Sequence, residues 1–148
     1  MRIALSVEYD GRHFCGWQMQ TQGTRTVQSE LEMALSKVAD QPVQVICAGR
    51  TDTGVHATGQ VVHFDVDVER HEKAWVAGVN RHLPDDVSSL WAREVDEDFS
   101  ARFSATARQY RYVIFNRSAR PALLNKKVCW RYGEINIDAI IFKNVIVI

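Results

Sequence analysis

Six periodic segments fill the first 95 residues of the chain, in the order strand, helix, strand, strand, helix, strand. In four of them apolar residues alternate with other residues, as in strands with one buried face, and in two the apolar residues recur at helical spacing. The predicted strands are residues 3–10, 43–48, 60–68 and 87–93, and the predicted helices are residues 27–38 and 69–83. This order predicts an α+β fold, in which a ferredoxin-like antiparallel sheet carries its helices on one face.

Two more strand patterns follow, in QYRYVIFN at residues 109–116 and in KKVCWRY at residues 126–132. Beyond Gly133 the chain ends in an apolar tail, INIDAIIFKNVIVI. Because a stable sheet needs a third strand or a covering helix, these segments cannot close a domain of their own. We therefore predict an N-terminal domain over residues 1–100 and the beginning of a second, incomplete domain over residues 101–148.

The formal net charge of zero conceals a strong division of charge along the chain. Residues 1–100 hold 9 Lys and Arg against 16 Asp and Glu, a balance of −7, whereas residues 101–133 hold 8 Lys and Arg and no acidic residue. Residues 134–148 add one Lys against two acidic residues, which restores zero. A basic segment of this kind indicates either a polyanionic partner or a solvated basic surface, and charge alone leaves both open.

Composition and cysteine usage indicate an ordinary globular protein of a reducing compartment. Hydrophobic residues make up 46% of the chain, and neither an 18-residue apolar run nor a signal-peptide pattern is visible, so we expect a cytoplasmic location. The three cysteines, Cys15, Cys47 and Cys129, are odd in number and widely spaced. This pattern argues against a disulfide framework and a CxxC metal site, and we expect Cys47 to be a small buried residue.

The segment AGRTDTGVHATGQVVHFD, residues 48–65, places an Arg, an Asp and a His in a Gly-containing turn before a predicted strand. In the simplest interpretation, Asp52 and the neighbouring threonines only cap that turn. The segment lacks the GK[ST] of a phosphate-binding loop, and no GxGxxG motif follows the first strand. His56 and His63 have no further ligand at zinc-site spacing, so we expect no metal.

The chemical feature that remains is the single carboxylate of Asp52, with Arg50 two residues before it. A neighbouring guanidinium favours the ionised carboxylate, which suits a nucleophile more than a proton donor and needs neither metal nor cofactor. An aperiodic segment, GRHFCGWQMQTQGTR at residues 11–25, lies upstream. Its two aromatic residues, Phe14 and Trp17, are expected to be exposed.

Four motifs occur in order along the chain: YDGRHFCGWQ, AGRTDTGVHATGQVVHF, GVNRHLPDDV and ARFSATARQYRYVIFN. Together they resemble the motifs of the tRNA pseudouridine synthase A family, from Met1 to about Gly133. The resemblance implies an isomerase that converts uridine to pseudouridine in the anticodon arm of tRNA, at positions 38 to 40. It also implies a homodimer that binds tRNA and uses no metal or organic cofactor.

The resemblance also assigns roles to individual residues. It maps the catalytic aspartate of the family onto Asp52, its substrate-contacting arginine onto Arg50 and its base-stacking tyrosine onto Tyr110. Stacking of a base on an aromatic ring is worth about 1–3 kcal/mol, which is comparable with the cost of unstacking a nucleotide. Further RNA-binding candidates in the acid-free segment are Arg108, Arg111, Lys126 and Lys127.

The chain departs from the family pattern after Gly133, where family members continue into a complete second ferredoxin-like domain. The second predicted domain is therefore expected to hold only the first strands of such a domain, and the chain alone to have little activity and to aggregate. Two alternatives stay open. One is a non-catalytic RNA-binding ferredoxin-like module in which Asp52 only shapes its loop; the other is a small-molecule enzyme or structural α+β domain with a solvated basic face.

Overall fold

The computed structural model of the protein describes residues 1–20, 23–137 and 145–147. The chain divides into two compact units, Met1–Thr106 and Ala107–Ile148. The buried apolar residues of the described chain lie in the first unit. The predicted domain limits of 1–100 and 101–148 stay a prediction, because a compact unit is not by itself an independently folding domain.

The first unit is a four-stranded antiparallel sheet with two helices. Its strands are β1 Arg2–Tyr9, β2 Ile46–Cys47, β3 Ala57–Asp65 and β4 Val87–Val95, and its helices are α1 Val27–Ala39 and α2 Glu72–Asn80. The strand order is β2-β3-β1-β4, and each neighbouring pair is antiparallel. This arrangement is ferredoxin-like, so the predicted fold class is confirmed.

The apolar core lies between the sheet and the two helices. Alternation along the central strand β1 directs Ile3, Leu5 and Val7 to this side, where all three are buried. Ile3 is paired with Phe64 of β3, whose ring meets Trp75 of α2 edge-on with centroids 5.3 Å apart. Burial of each such large side chain stabilises the fold by roughly 1.5–3 kcal/mol.

Helix α1 begins directly after Thr26, which caps it. The Thr26 side chain accepts a hydrogen bond from the Ser29 N–H at 3.3 Å, and the Ser29 hydroxyl accepts one from the Thr26 N–H, which completes a capping box. The helix ends at Asp40, which adopts a left-handed conformation with φ of +54°. Asp tolerates this region better than most residues, so the chain can turn sharply there.

Most strand limits of the first unit differ from the sequence prediction by one to three residues, and the largest change in length there is at the second strand. The predicted second strand is shortened to β2, because side chains of α1 accept hydrogen bonds from backbone N–H groups that precede β2. The Val43 N–H donates to Ser36 Oγ at 2.9 Å and the Val45 N–H donates to the Glu32 carboxylate at 3.0 Å. These amides therefore do not join the strand ladder, whereas β3 begins earlier than predicted, at Ala57.

The second unit contains a partial sheet with strand order β6-β5-β7. Its strands are β5 Tyr112–Asn116, β6 Cys129–Arg131 and β7 Val145–Val147, and both pairings are parallel. Because neighbouring strands of a ferredoxin-like sheet are antiparallel, the assignment of this sheet to a second ferredoxin-like domain stays a prediction. Among residues 107–137, only Pro121 is buried, so this stretch has no apolar core of its own.

In the described part of the chain, no helix is long and apolar enough to cross a membrane, and no three His, Cys, Asp or Glu side chains are grouped to hold a metal ion. The three cysteines are free thiols. Cys47 is half-buried, and burial raises the pKa of its thiol.

Candidate functional site

Residues 48–56 form the loop between β2 and β3, and we call this segment the Asp52 loop. The Asp52 carbonyl accepts a hydrogen bond from the Val55 N–H at 3.1 Å, which closes a four-residue turn. Gly54, the third residue of that turn, has φ of +80°, as a type II turn requires at this position. The turn therefore fixes the backbone around Asp52, and it does so at a position where glycine is strongly favoured over other residues.

The Asp52 carboxylate is exposed and makes no hydrogen bond or ion pair with any other residue that the structure describes. An aspartate that capped the turn would accept a hydrogen bond from a nearby backbone N–H. Arg50 is also exposed and does not pair with Asp52. Burial raises the pKa of the Cys47 thiol, and the positive charge of Arg50 lowers it by a smaller amount. The carboxylate is thus available to a group from outside the loop.

The first part of the Asp52 loop is bound to β3. The Ala48 N–H donates to the Val61 carbonyl at 2.8 Å. The Gln60 side chain then bonds both backbone groups of Gly49: its Nε2 donates to the Gly49 carbonyl, and its Oε1 accepts from the Gly49 N–H at 3.3 Å. The residue directly before Arg50 is therefore held by a two-point contact from the neighbouring strand.

The middle of the loop is bound at Thr51, directly before Asp52. The hydroxyl of Tyr9, the last residue of β1, lies 2.8 Å from Thr51 Oγ1. The Trp17 N–H donates to the Thr51 carbonyl at 2.9 Å. Tyr9 and Trp17 are both buried, with ring centroids 6.0 Å apart, so both contacts come from well-packed residues.

Two glycines let the upstream segment lie directly against the loop. A Cβ added to Gly11 would lie 2.0 Å from the Val55 carbonyl oxygen. Gly16 has φ of +84°, and a Cβ there would lie 2.8 Å from the Thr51 carbonyl oxygen. Because no side chain fits at these distances, the two backbone segments pack as one body.

The prediction that Phe14 and Trp17 are exposed is wrong, since their side chains are only 2% and 1% exposed. The Arg25 guanidinium lies 4.1 Å from the Phe14 ring centroid and forms two hydrogen bonds of 2.8 Å with Asp86. The Phe14 carbonyl also accepts from the Gly54 N–H at 3.4 Å. Apart from one turn of 3-10 helix, Gly11–His13, the segment is irregular, and buried aromatic side chains anchor it to the core.

The end of the Asp52 loop meets the residues that follow β1. His56 Nδ1 lies 3.1 Å from Asp10 Oδ1 and 3.2 Å from the Gly11 nitrogen. Nδ1 can accept from the Gly11 N–H or, when it carries a hydrogen, donate to Asp10, but it cannot do both at once. Arg12 also pairs with Asp10, and its hydrogen bond lowers the pKa of that carboxyl to about 2.

We expect the Arg12–Asp10 pair to make stability sensitive to acid. The pKa of Asp10 in the folded protein, about 2, lies below the value of about 3.9 in an unfolded chain. The stabilisation is therefore complete above about pH 4 and is lost as the pH falls through the folded pKa. Asp10→Asn should lower the free energy of unfolding at pH 7 by about 1 kcal/mol, allowing for solvent screening of this partly exposed pair.

Urea denaturation of both proteins between about pH 2 and pH 7 measures this effect. The variant should lose less stability than the wild type as the pH falls. An equally steep loss in both proteins would show that Asp10 is not one of the responsible groups.

The other five predicted site residues belong to the second unit. All are exposed: Arg108, Tyr110, Arg111, Lys126 and Lys127. Tyr110 precedes β5 by two residues, so the predicted strand begins later than expected, at Tyr112. Lys126 and Lys127 lie in a turn in which the Lys127 N–H donates to the Leu124 carbonyl at 3.0 Å. Each side chain is thus on a surface that a polyanion can reach.

Sequence reasoning missed the residues that hold the Asp52 loop. The sequence pattern identifies Tyr9 only as one more residue of a strand and Gln60 only as the start of another, and it predicts an exposed Trp17. The available signal was the pair of glycines, Gly11 and Gly16, beside aromatic residues in an aperiodic segment. Such glycines indicate close backbone approach, although they do not identify the segment that is approached.

Comparison with known proteins identifies a family to which this chain is similar. Residues 5–104 match the family described as tRNA pseudouridine synthase. The chain is 60% identical over 138 residues to a tRNA pseudouridine synthase A of Shewanella amazonensis, 58% over 136 residues to that of Shewanella frigidimarina, and 57% over 138 residues to that of Alcanivorax borkumensis. The alignments cover 93%, 92% and 93% of this chain and 52% of each relative.

The chain thus spans about half the length of the curated relatives it matches. The family match includes the Asp52 loop together with β1, the aromatic segment and β3, which hold that loop in place. A match over 100 residues of the 148 covers most of the chain. The protein therefore belongs to the tRNA pseudouridine synthase family.

Proposed function

We propose that this protein isomerises uridine to pseudouridine in tRNA, with Asp52 as the catalytic nucleophile. The Asp52 carboxylate carries this proposal, because it is exposed and without a described partner on a loop that neighbouring segments hold at both ends. Preorganised catalysis requires a reactive group that forms no hydrogen bond within its own loop, on a backbone that neighbouring segments hold in place. The names of the relatives indicate the substrate class, which is tRNA.

The chemistry of the isomerisation suits a single carboxylate. The bond between uracil N1 and ribose C1′ breaks, the base turns over, and a bond forms between uracil C5 and the same C1′. C5 loses a proton and N1 gains one, so atoms and charge balance without any transfer of electrons to another molecule. An ionised aspartate can serve as the nucleophile of such a two-stage reaction and is regenerated at its end.

Arg50 and Tyr110 complete the proposed machinery. The target nucleotide must leave its base stack, which costs a few kcal/mol, and stacking on Tyr110 would return about 1–3 kcal/mol. The Tyr110 side chain is 60% exposed, so its ring is open to a base. Arg50, exposed two residues before Asp52, would contact the substrate by charge-assisted hydrogen bonds as the base is extruded.

The basic segment is proposed to bind the phosphates of tRNA. We expect Lys126→Ala with Lys127→Ala to weaken tRNA binding and to reduce the salt slope of log K by roughly 1.4 to 1.8, the effect of two lost phosphate contacts. Fluorescence anisotropy with labelled tRNA across a salt series measures both quantities. The matched control removes two exposed lysines, Lys37 and Lys73, from the acidic first part of the chain. Equal slopes for both double variants would contradict the proposed surface.

The target is proposed to be the anticodon arm, at positions 38 to 40, and the assembled protein to be a cytoplasmic homodimer. These details follow from the family resemblance of the four motifs. Pseudouridine formed in another arm of tRNA would overturn the first of them. A monomeric mass by analytical ultracentrifugation in the presence of tRNA would overturn the proposed dimer.

A second candidate function is a non-catalytic RNA-binding module. The absence of a buried core among residues 107–137 favours it, because catalysis requires side chains that packing holds in place. In that case Asp52 would only shape its loop, and the chain would bind tRNA without converting uridine. Conversion, not binding, therefore distinguishes the two functions.

The deciding experiment joins this chain to the remaining half of the Shewanella amazonensis relative, and we call the product the extended protein. Carbodiimide labelling followed by primer extension locates pseudouridine in unmodified tRNA after incubation. We expect pseudouridine at positions 38 to 40 with the extended protein. Binding of tRNA without any pseudouridine would favour the non-catalytic module.

The 148-residue chain by itself is expected to convert little or no uridine and to aggregate. The reason is that it spans about half of its relatives and its second unit leaves strands and aromatic residues uncovered. The same labelling assay, with light scattering as a second readout, tests this expectation. Efficient conversion of tRNA by a monodisperse preparation of this chain would contradict it.

A further inference from the structure

We propose that Tyr9 is a positioning residue, whose hydroxyl acts through Thr51 to hold Asp52 in its reactive orientation. Tyr9 lies 43 positions before Asp52 in the sequence and belongs to a different element. It acts on the residue to which catalysis is assigned, so its catalytic effect depends on the proposed function.

Tyr9 is held by strand pairing on both sides and by burial in the core. It ends the central strand β1, where it pairs with Ala57 of β3 on one side and with Val87 of β4 on the other. Its side chain is 4% exposed and belongs to the apolar core. The phenol therefore has little freedom, and its hydroxyl is presented to the loop from a rigid base.

The hydroxyl reaches the residue next to Asp52. Its oxygen lies 2.8 Å from Thr51 Oγ1, a normal length for an O–H···O hydrogen bond. Thr51 is β-branched, so a bond to Oγ1 selects one rotamer and with it the local backbone. The Trp17 N–H holds the Thr51 carbonyl at 2.9 Å at the same time. Two fixed groups thus define both the side chain and the peptide that leads into Asp52.

A phenylalanine would fill the same apolar space without the cost of burying a hydroxyl. A buried hydroxyl lowers stability unless it is hydrogen-bonded, and Tyr is suited to sites where one end is apolar and the other polar. In Tyr9 the polar end meets the loop, next to a carboxylate that no described residue restrains directly. Because no described residue forms a hydrogen bond or ion pair with the Asp52 side chain, the direction of this side chain depends on the backbone that leads from Thr51 into Asp52.

The first experiment measures amide hydrogen exchange in the extended protein and needs no catalysis. The two reporters are the Trp17 amide, bonded to Thr51, and the Val55 amide, bonded to Asp52. Tyr9→Phe should accelerate their exchange roughly threefold to tenfold, as expected for one lost hydrogen bond. Amides of the β1–β3 ladder should be unaffected, because the ring of residue 9 still fills the core.

Variants of the two threonines around Asp52 provide the controls. Thr51→Val should accelerate the same amides as Tyr9→Phe, and the double variant should show no further acceleration, since both changes remove one hydrogen bond. Thr51→Ser keeps the hydroxyl and should preserve protection. Thr53→Val alters an exposed threonine on the other side of Asp52 and should change nothing. Unchanged reporters in Tyr9→Phe, or equal acceleration throughout the sheet, would overturn the positioning role.

The second experiment measures kinetics in the extended protein. Tyr9→Phe should lower kcat for pseudouridine formation by about tenfold or more, because a small misplacement of a reacting group is costly, while KM stays within about threefold. Thr51→Ser should retain wild-type kcat and Thr51→Val should not. A change in KM alone would overturn the role. If the extended wild type forms no pseudouridine, the proposed function fails, whereas hydrogen exchange still decides whether Tyr9 holds the loop.

Discussion

Replacing Asp52 by asparagine in the extended protein is expected to lower kcat for pseudouridine formation by at least about a thousandfold, because an amide cannot replace a nucleophilic carboxylate. The structure predicts that this loss occurs without unfolding. The carboxylate is exposed and has no hydrogen bond or ion pair to a described residue, so its removal costs no native contact. The free energy of unfolding should change by less than about 0.5 kcal/mol. Urea denaturation and pseudouridine mapping on the same preparation measure both quantities.

The matched control is Asp67→Asn, which removes the same charge from an exposed aspartate shortly after β3. This variant should retain wild-type activity and stability. Equal loss of activity in the two variants would mean that net charge near the RNA, not the Asp52 carboxylate, limits the reaction. Retained activity in Asp52→Asn would show that the catalytic role is assigned wrongly.

Gly11→Ala is expected to have the largest effect on stability. The new methyl group would lie 2.0 Å from the Val55 carbonyl oxygen and 2.5 Å from its carbon, and both atoms belong to backbone. The two segments must separate to admit it, so we expect a loss of about 3 kcal/mol, the upper part of the range for overpacking. The separation also pulls the Asp52 loop away from β1, so activity of the extended protein should fall with stability.

Gly59→Ala provides the control for the glycine substitution. A Cβ at Gly59 would meet only Ser6 Oγ, at 3.9 Å, which is an ordinary contact. Glycine within a strand is disfavoured relative to alanine by roughly 0.5–1 kcal/mol, so this variant should be neutral or slightly stabilised. Urea denaturation of the two variants compares them directly. A loss of similar size in both would refute the idea that the Gly11–Val55 approach is the critical one.

The fold of the first unit could be predicted because its elements are local patterns. The alternation of Ile3, Leu5 and Val7 and the stripe of α1 each need only one stretch of sequence to be recognised. The extent of β2 could not be predicted in the same way. Its preceding amides are taken by Ser36 and Glu32 of α1, and this competition appears only when the helix lies against the chain.

The candidate site likewise combines residues that one short motif identifies with contacts that no local pattern predicts. Asp52 and Arg50 stand out in one short motif, and the structure shows both exposed on the loop where that motif lies. The scaffold that holds them joins residues far apart, with Tyr9 and Thr51 separated by 42 positions and Gly11 and His56 by 45. No periodicity links such pairs, so hydrogen bonds between them follow from the packed fold and not from the sequence pattern.

A single-turnover experiment tests the catalytic role of Asp52 most directly. The extended protein and its Asp52→Asn variant are each held in excess over unmodified tRNA, and binding and pseudouridine at positions 38 to 40 are measured in the same samples. We predict tRNA affinities within about threefold of each other, because the phosphate contacts are unchanged, and pseudouridine only with the unsubstituted protein. Formation of pseudouridine by the variant at the rate of the unsubstituted protein would contradict the catalytic role proposed for Asp52.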